Sequence, residues 1–327
     1  MRFPKLFADI GGTNARFALE TSPGVLAAVK VLACADYPQL ADAMYAYLQT
    51  SDARTAGADQ VKNAGIAIAN PIHGDWVQMT NHHWSFSIEA TRQLFQLESL
   101  DVVNDFTALA MSLPHLGKQQ LTQVGGRAAV PESAIGLLGA GTGLGVSGLI
   151  PSADGWKPLH SEGGHVSFTP ANRREIDILE FAWQEFDHVS AERLLSGPGL
   201  KLIYRALAAS QQQVAEDIEA PEIVQRGLDQ QCPICIDVLT SFCDMLGTMA
   251  GNLAVTLGAR GGIYIGGGIV PRLGDYVLRS GFRQRFEQKG RFTQYLSEIP
   301  VFVITEPYPA FIGLSALLEQ APSALAA

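Results

Sequence analysis

The chain has 327 residues, of which 47% are hydrophobic and 17% charged, and its formal net charge is −9 at pH 7. This length favours two domains over one, and this composition excludes a fibrous chain and an intrinsically disordered one. The acidic balance argues against a broad nucleic-acid-binding surface, which needs clustered lysine and arginine, so any bound anion must be held locally.

The first third of the chain alternates between strand and helix patterns. Residues 5–34 form apolar runs broken at Gly11-Gly12 and at Ser22-Pro23-Gly24, which predicts antiparallel strands with a glycine hairpin tip. The apolar spacing then predicts a helix at Pro38–Leu48, strands at Ala64–Ala69 and about Trp76–Thr80, a helix at about Ile88–Leu97, a strand at Leu100–Val103 and a helix at Phe106–Leu113. This alternation predicts a sheet covered by helices.

From Ala134 the same order begins again, which indicates an internal duplication. The predicted elements of this part are strands IGLLGA and GVSGLI and one about Trp156–Leu159, helices at about Arg174–Phe186, Ser190–Leu194, Gly199–Ala209, Pro221–Asp229 and Cys232–Leu257, a strand at Gly262–Gly266, helices within Arg272–Lys289, a strand at Val301–Thr305 and a last helix from Ala310. We therefore expect an α/β protein of two domains that face each other across a ligand-binding cleft.

The sequence gives no sign of export or of a membrane helix. Asp9 interrupts the first apolar stretch before a signal-peptide core of about 7–15 residues could form. The longest uncharged run, Ala134–Ala153, contains six glycines and a proline, which favours strands and turns over a membrane helix of about 20 residues. We expect a cytoplasmic protein with no membrane partner, whose four cysteines are reduced thiols.

Two glycine-threonine turns, Asp9-Ile-Gly-Gly-Thr-Asn14 and Gly139-Ala-Gly-Thr-Gly-Leu-Gly145, follow predicted strands. Glycine permits positive φ and close approach of the backbone, so successive N–H groups and a threonine hydroxyl can surround an anion. One such turn is more often an ordinary hairpin, but two of them favour a duplicated phosphate site. The P-loop pattern is missing from the sequence, and the Gly-x-Gly-x-x-Gly match at Gly143–Gly148 precedes a strand, whereas a dinucleotide fold requires a helix.

These turns resemble the two phosphate motifs of the superfamily of sugar kinases, actin and heat-shock ATPases, and Gly266-Gly-Gly-Ile-Val270 resembles its adenosine motif. More closely, DIGGTNARFAL, MTNHHWSFS, NDFTALA, SEGGHVSF, SAERLLSGPGL and GGGIVPR resemble the bacterial ATP-dependent glucokinases, in order from about Phe7 to Glu319. The sequence lacks the cysteine-rich zinc motif of the repressor–open-reading-frame–kinase sugar kinases, which separates it from that group.

The resemblance implies a two-domain actin-like (ribonuclease H-like) ATPase fold, with a central mixed sheet in each domain and an interdomain cleft. The small domain would comprise residues 1–114 and 307–327, completed by the C-terminal helix, and the large domain residues 115–306. The resemblance also implies a homodimer that uses ATP with Mg²⁺ and phosphorylates D-glucose at its 6-hydroxyl to glucose 6-phosphate, the first step of glycolysis.

Asp105 is the candidate general base. It follows a predicted strand at the start of a helix, and a carboxylate with a reference pKa of about 3.9 is ionised at neutral pH and can accept a hydroxyl proton. On position alone, an N-cap of the helix is the commoner role of such an aspartate. The resemblance assigns it to catalysis.

The resemblance assigns the sugar contacts to Asn104, Asp105, Glu162, His165 and Glu192. Carboxylates, an amide and an imidazole can pair with the hydroxyls of a sugar, each of which is both donor and acceptor. The two glycines of Glu162-Gly-Gly-His165 permit a sharp loop that directs both side chains to one ligand. The spacing Glu-x-x-His also occurs in zinc sites, but the sequence shows no third ligand.

The predicted nucleotide contacts lie in three segments. They are Ala8, Asp9, Ile10, Gly11, Gly12, Thr13 and Asn14; Gly141, Thr142 and Gly143; and Gly266, Gly267 and Gly268. By resemblance, the first two segments contact phosphates and the third approaches adenine or ribose. Asp9 resembles the residue beside Mg²⁺, which it would contact through water because Mg²⁺ keeps several waters. Its alternative role is an Asx turn in the hairpin.

Two other functions are compatible with these residues. One is a non-catalytic, sugar-responsive regulator on the same fold, although a sensor needs neither Asp105 nor two phosphate turns. The other is a kinase for another hexose, such as mannose or fructose.

Two further motifs are assigned no part in catalysis. Cys232-Pro-Ile-Cys235 has a redox spacing but opens a long apolar helix, so packing is its favoured role. His82-His83 are expected at the surface, and the alternative is a place beside the sugar loop.

Overall fold

The computed structural model describes residues 2–80 and 82–320; Met1, position 81 of the MTNHHWSFS motif and residues 321–327 of the predicted small domain lie outside the described residues. The strands are β1 (Lys5–Ile10), β2 (Asn14–Ser22), β3 (Val25–Ala33), β4 (Asn63–Ile68), β5 (Trp76–Gln78), β6 (Ser85–Ser87), β7 (Ser99–Asn104), β8 (Leu121–Gln123), β9 (Ile135–Ala140), β10 (Leu144–Ser152), β11 (Gly155–Pro158), β12 (Ile263–Gly266) and β13 (Val301–Ile304). The helices are α1 (Leu40–Leu48), α2 (Ser51–Thr55), α3 (Ile88–Leu94), α4 (Asp105–Ser112), α5 (Arg173–Ala182), α6 (Ala191–Leu194), α7 (Gly197–Ser210), α8 (Ala220–Leu228), α9 (Pro233–Leu257), α10 (Tyr276–Arg279), α11 (Phe282–Glu287), α12 (Thr293–Glu298) and α13 (Pro309–Glu319).

Two compact units divide the chain. Unit 1 consists of the residues up to Leu116 and those from Glu306 onward, and unit 2 of residues Gly117–Thr305. Each unit contains its own mixed sheet, as the predicted fold class requires. The domain limits taken from the sequence, 114 and 307, and the cleft between the domains stay predictions.

The sheet of unit 1 has the strand order β3-β2-β1-β4-β7, and β5 pairs with β6 in a separate hairpin. β1, β2 and β3 are antiparallel neighbours, whereas β1, β4 and β7 are parallel. Ile10, Ile68 and Asn104 are register partners at the carboxyl ends of the three parallel strands. The segments that follow these strands therefore leave the sheet at one edge.

Unit 2 repeats this arrangement. Its sheet has the order β11-β10-β9-β12-β13-β8, in which β9, β10 and β11 are antiparallel and β9, β12 and β13 are parallel. The five strands from β11 to β13 match the order and directions of the five strands of unit 1, which confirms the predicted duplication. β8 pairs antiparallel with β13 as an additional edge strand.

Local sequence fixes where several helices begin. Ser87, Asn172 and Ser196 each accept a hydrogen bond from the backbone N–H three residues later, and α3, α5 and α7 begin there. The sequence analysis missed α2, α12, β6 and β8, which have five, six, three and three residues. Elements this short do not show a period of apolar residues.

α9 is the central helix of unit 2. By length and composition it could cross a membrane, but 67% of its apolar 18-residue window is buried within the protein. Phe242 and Leu246 are 0% exposed, and the helix packs against α7, α8 and α11. This is the burial of a core helix.

α13 packs against α4, β4 and β1 within unit 1. Gly313 lies so close to α4 that a side chain there would overlap the Ala108 carbonyl oxygen. A glycine at this point lets the two helix backbones approach each other. α13 therefore supports the helix that begins at Asp105.

A buried ion pair joins β1, β2 and α13. Lys5 and Glu20, each 1% exposed, are register partners, and Lys5 Nζ lies 3.1 Å from Glu20 Oε2. Ser315 Oγ donates to both Glu20 carboxylate oxygens, at 2.9 and 3.0 Å, and Lys5 Nζ lies 3.1 Å from Glu319 Oε1. Because loss of one partner would leave a buried charge uncompensated, the first hairpin and α13 depend on each other for stability.

Replacing Lys5 with methionine should lower the free energy of unfolding by about 3–5 kcal/mol, because Glu20 would keep a buried charge without its counter-ion. The double variant Lys5→Met, Glu20→Leu should recover part of this loss, since apolar residues of similar volume often replace buried ion pairs at little cost. Urea unfolding followed by circular dichroism measures both effects. A single variant as stable as the wild type would show that the ion pair does not stabilise unit 1.

Candidate active site

The hairpin between β1 and β2 places the first glycine-threonine turn at the edge where β1, β4 and β7 end. The Gly11 N–H donates to the Asn14 carbonyl (2.9 Å), and the Cys34 N–H donates to the Thr13 carbonyl (2.9 Å). Gly11 and Gly12 are half-buried, whereas Thr13 is exposed. The backbone of the turn is thus held in place with the threonine on its outer side.

Asp9, the residue before Ile10 at the end of β1, pairs with a cation across the hairpin. Arg16 is its register partner, and Arg16 Nη1 lies 3.1 Å from Asp9 Oδ2. Burial raises the pKa of Asp9, and the charge and hydrogen bond of Arg16 oppose this increase. The flanking residues Ala8 and Ile10 are only 1% and 0% exposed, so they offer almost no surface for the nucleotide contact predicted for them.

Asn104 ends β7 and is the N-cap of α4. Its Oδ1 accepts hydrogen bonds from the N–H groups of Phe106 (2.9 Å) and Thr107 (3.3 Å), and its Nδ2 donates to the Asn70 carbonyl (3.4 Å). The capping role considered for Asp105 therefore belongs to Asn104. Asp105 is the first residue of α4.

Asp105 combines burial with a neighbouring charge of the same sign. Loss of hydration on burial raises the pKa of Asp105 to about 6, and the negative charge of Asp9 adds to this increase. Hydrogen bonds from the backbone N–H groups of Phe106 and Asp105 and from the Asn104 side chain oppose the increase. A carboxylate with this pKa is more basic than an ordinary aspartate yet still mostly ionised at neutral pH, which suits a general base.

The second glycine-threonine turn, Gly141-Thr142-Gly143, joins β9 to β10. The Gly141 N–H donates to the Gly143 carbonyl (2.8 Å), and Thr142 is exposed, as Thr13 is. Positive φ was expected for the glycines of both turns, and this expectation is wrong. In the three predicted nucleotide segments, positive φ occurs only at Gly267 (+81°). Both turns close without positive φ. Glycine is needed at position 143 because a side chain there would overlap the Glu192 carboxylate.

The turn that follows β12 lies against this second phosphate turn. Gly266 is the register partner of Gly139, and the Ile269 N–H donates to the Ala140 carbonyl (3.1 Å). A side chain at Gly267 would overlap the Ala140 carbonyl oxygen. The predicted phosphate and adenosine segments are therefore neighbours in unit 2, with Gly268 N 3.9 Å from where a Cβ of Gly141 would lie.

The N-terminus of α7 reaches the same turn. The Gly197 N–H donates to the Gly141 carbonyl (2.8 Å), and Ser196 Oγ caps the helix by accepting from the Gly199 N–H (3.2 Å). The sequence analysis quoted SGPGL as part of a motif without giving these residues a role. Serine followed two residues later by Pro198 is the local signal of a helix start that could have found them.

Glu162, His165 and Glu192 meet in unit 2. His165 Nε2 lies 3.9 Å from Glu162 Oε2, and His165 Nδ1 lies 4.0 Å from Glu192 Oε1. The side chains of Glu162 and His165 are 75% and 60% exposed, and that of Glu192 is 34% exposed. Two carboxylates on either side of an imidazole provide both acceptors and a donor for hydroxyl groups.

Backbone contacts hold this cluster beside the second phosphate turn. The Ala191 N–H donates to the Val166 carbonyl (2.9 Å), which ties the segment of Glu192 to that of His165. The Leu144 N–H, directly after the turn, donates to Glu192 Oε2 (2.9 Å). Unit 2 thus brings its predicted sugar and phosphate residues into one site, as unit 1 brings Asp9, Asn104 and Asp105 to one sheet edge.

Within residues 2–80 and 82–320, no group of three or more His, Cys, Asp or Glu side chains is arranged to hold a metal ion. The zinc alternative for Glu162 and His165 therefore gains no support.

Two other motifs lie apart from these clusters. Cys235 is 0% exposed, and burial raises the pKa of its thiol to about 12, which favours packing over redox chemistry. His83 is exposed, with Nε2 3.0 Å from the Pro38 carbonyl oxygen. His82 is half-buried, with its ring edge-on to Trp84 at 4.9 Å, so only part of this side chain lies at the expected surface position.

Comparisons with known proteins agree with the family resemblance. The family model described as "Glucokinase" matches residues 6–321. The "Bifunctional protein glk" of Paraburkholderia xenovorans is 56% identical over 97% of this chain and 49% of its own length, and the glucokinase of Chromobacterium violaceum is 53% identical over 97% of this chain and 90% of its own. The chain spans about half the length of the bifunctional relatives.

The fold is also that of a solved relative. The crystal structure of a glucokinase from an Antarctic psychrotroph is 37% identical, with a TM-score of 0.88 over 98% of this chain and 100% of that chain. With the two mixed sheets of matching topology, this confirms the predicted actin-like fold class. The chain belongs to the glucokinase family.

Proposed function

We propose that the protein transfers the γ-phosphoryl group of ATP to the 6-hydroxyl of D-glucose and releases glucose 6-phosphate and ADP. The observation that carries this proposal is Asp105, an ionisable carboxylate at the start of α4 whose pKa is raised to about 6. Relatives named glucokinase, 53% and 51% identical over 97% of the chain, support glucose as the sugar.

In this reaction Asp105 accepts a hydrogen bond from the 6-hydroxyl and takes its proton as the oxygen attacks the γ-phosphorus. The bond from this phosphorus to the bridging oxygen breaks, and ADP leaves. In phosphoryl transfer the base mainly orients the nucleophile, and positioning and charge neutralisation supply most of the acceleration. Asn104 contributes by holding the first turn of α4, and so the backbone of Asp105, at the end of β7.

Glu162, His165 and Glu192 would bind the remaining hydroxyls of the sugar. A site that pairs with each hydroxyl discriminates strongly, because a missing hydroxyl leaves a polar group of the protein unpaired. His165 lies between the carboxylates of Glu162 and Glu192, at 3.9 and 4.0 Å. Its ring N–H can therefore donate a hydrogen bond to a sugar hydroxyl or to one of these carboxylates.

The nucleotide would use the exposed tips of both glycine-threonine turns and the Gly266–Gly268 segment. Turn backbone N–H groups favour the phosphates. Mg²⁺ fits the unit 1 residues, because Asp9 presents a partly exposed carboxylate, the hard ligand type that this ion prefers, at 25% side-chain exposure. When bound, Mg²⁺ neutralises phosphate charge, and Asp9 would hold it through water.

We extend the proposal to a homodimer, which family resemblance supports, and to a cytoplasmic location, which the sequence pattern supports. Some relatives are about twice as long as the segment that matches this chain. The activity of the whole protein is therefore also part of this proposal. An assay of ADP release with glucose, mannose and fructose, with and without Mg²⁺, tests the reaction and its sugar. No ADP release above background with any of the three hexoses would contradict the proposal and favour the non-catalytic regulator.

Replacing Asp105 with asparagine should lower kcat by about 10²–10⁴-fold, because the amide cannot accept the proton. Glucose binding, measured by calorimetry, should persist, since the amide still forms hydrogen bonds. Asp101→Asn is the matched control, because Asp101 is another half-buried carboxylate on β7 whose pKa burial raises. Its kcat should equal that of the wild type, and unchanged turnover in the Asp105 variant would remove Asp105 as the base.

The rate should report the ionisation of Asp105. Because the reaction needs the carboxylate and its pKa is about 6, kcat/KM for glucose should fall tenfold per pH unit below about pH 6. Steady-state kinetics between pH 5 and 8, roughly the range around this pKa, measure this decrease on the acidic side of the pH–rate profile. A value of kcat/KM that stays constant down to pH 5, as an aspartate with the ordinary pKa of 3.8 would give, would contradict the assignment.

The raised pKa of Asp105 also affects the stability of the fold. Whereas kcat/KM should rise as pH increases through about 6, the free energy of unfolding should decrease. A folded-state pKa above the unfolded value of 3.8 means that the folded state binds more protons between about pH 4 and pH 6, so stability falls as pH rises through this window. Asp105→Asn should therefore unfold at higher urea concentration than the wild type at pH 7.5, roughly 1.5 units above that pKa, and the difference should vanish at about pH 3.5.

Replacing Thr13 or Thr142 with alanine should raise KM for ATP more than KM for glucose, because both threonines stand at the exposed tips of the phosphate turns. Initial rates at varied ATP and varied glucose separate the two constants. A larger effect on glucose than on ATP would contradict the assignment of these turns to phosphate.

A further inference from the structure

The backbone of Leu144 is where three parts of the unit 2 site meet. Its N–H donates to Glu192 Oε2 at 2.9 Å, and it is the first residue after the Gly141–Gly143 turn. A side chain at Gly164 would overlap the Leu144 carbonyl oxygen, so the loop that carries Glu162 and His165 packs against the carbonyl of the same residue whose N–H holds Glu192.

Glu192 uses its two carboxylate oxygens in different directions. Oε2 accepts from Leu144, whereas Oε1 faces His165, 4.0 Å from its Nδ1. A hydrogen bond to a charged group contributes more than a neutral one, so the bond to Leu144 is a strong restraint on the position of the whole carboxylate. The orientation in which Glu192 meets a sugar is thus set at the phosphate turn.

Gly143 provides the space for this arrangement. A Cβ there would overlap Glu192 Oε2 and would lie 3.2 Å from Glu192 Cδ. The obstructed atoms are the far end of a flexible side chain, which can rotate away without moving the backbone. Alanine at position 143 would therefore displace the Glu192 carboxylate from Leu144 while the fold persists.

We propose that Gly143 is a positioning residue for the sugar site, which keeps the Glu192 carboxylate on the Leu144 N–H and so in the orientation that binds glucose. The inference rests on the proposed function, because it takes Glu192 as a sugar contact. It departs from the assignment of Gly143 to nucleotide binding alone: this glycine of the phosphate turn also determines affinity for the sugar.

The same turn offers a matched control. The nearest atom to a Cβ at Gly141 is the Gly268 N, 3.9 Å away, which is ordinary van der Waals contact. Neither Gly141 nor Gly143 has positive φ, so alanine is compatible with the backbone at both positions. The two substitutions add the same methyl group and differ in whether it meets Glu192.

The test is the Kd for glucose, measured by calorimetry without nucleotide so that effects on ATP do not enter. Gly143→Ala should weaken glucose binding about tenfold or more, the scale of one lost hydrogen bond to a charged group, and Gly141→Ala should change it less than about twofold. Equal affinity of the Gly143 variant and the wild type would overturn the inference. If the wild type itself does not bind glucose, the proposed function fails, and the inference fails with it.

A second background shows whether Gly143 acts through Glu192. In Glu192→Asp the carboxylate is one methylene shorter and no longer occupies the space beside position 143. Adding Gly143→Ala to this variant should cost less than about twofold in glucose Kd, because residues that act through one contact are not additive. The same tenfold cost in both backgrounds would show a general disturbance of the turn and would overturn the inference, and thermal unfolding of all variants confirms that each is folded.

Discussion

The carboxyl ends of parallel strands must leave a sheet at the same edge, and the cluster of candidate residues in each unit depends on this constraint. In unit 1, β1, β4 and β7 end in one row at Ile10, Ile68 and Asn104. In unit 2, β9 and β12 end side by side, with Gly139 and Gly266 as register partners. Residues far apart in the sequence become neighbours because each follows one of these strands. The strand topology alone therefore determines at which sheet edge the candidate residues of each unit lie.

Close packing of the backbone then determines the details of unit 2. Gly143, Gly164 and Gly267 have no room for a side chain, because the Glu192 carboxylate, the Leu144 carbonyl and the Ala140 carbonyl lie against them. Protein interiors tolerate few overlaps, so these glycines hold the sugar cluster and the phosphate turn at short distances from each other.

The sequence predicted the strands that carry the site, the duplication and the clustering of Glu162 with His165, because periodicity and glycine turns are local signals. It did not reveal why the glycines are needed. Positive φ was the wrong reason for the glycines of the two predicted phosphate turns. At Gly143 in the second turn, the obstructing atom belongs to Glu192, which is distant in sequence. The alternative capping role was considered for Asp105, one residue too late, because asparagine and aspartate are both good caps and only the structure shows which oxygen accepts the N–H groups.

Unit 2 is continuous in the chain, whereas unit 1 is interrupted by it and completed by α13. A chain made from its N-terminus therefore has every residue of unit 2 before α13 exists. Until then, the charges of Lys5 and Glu20 lack Ser315 and Glu319, and α4 lacks the helix that packs against it. During synthesis the inserted unit can fold first, and the unit that holds Asp105 acquires its full stability only afterwards. The order of translation thus delays the stable placement of Asp105 until unit 2 and α13 have been made.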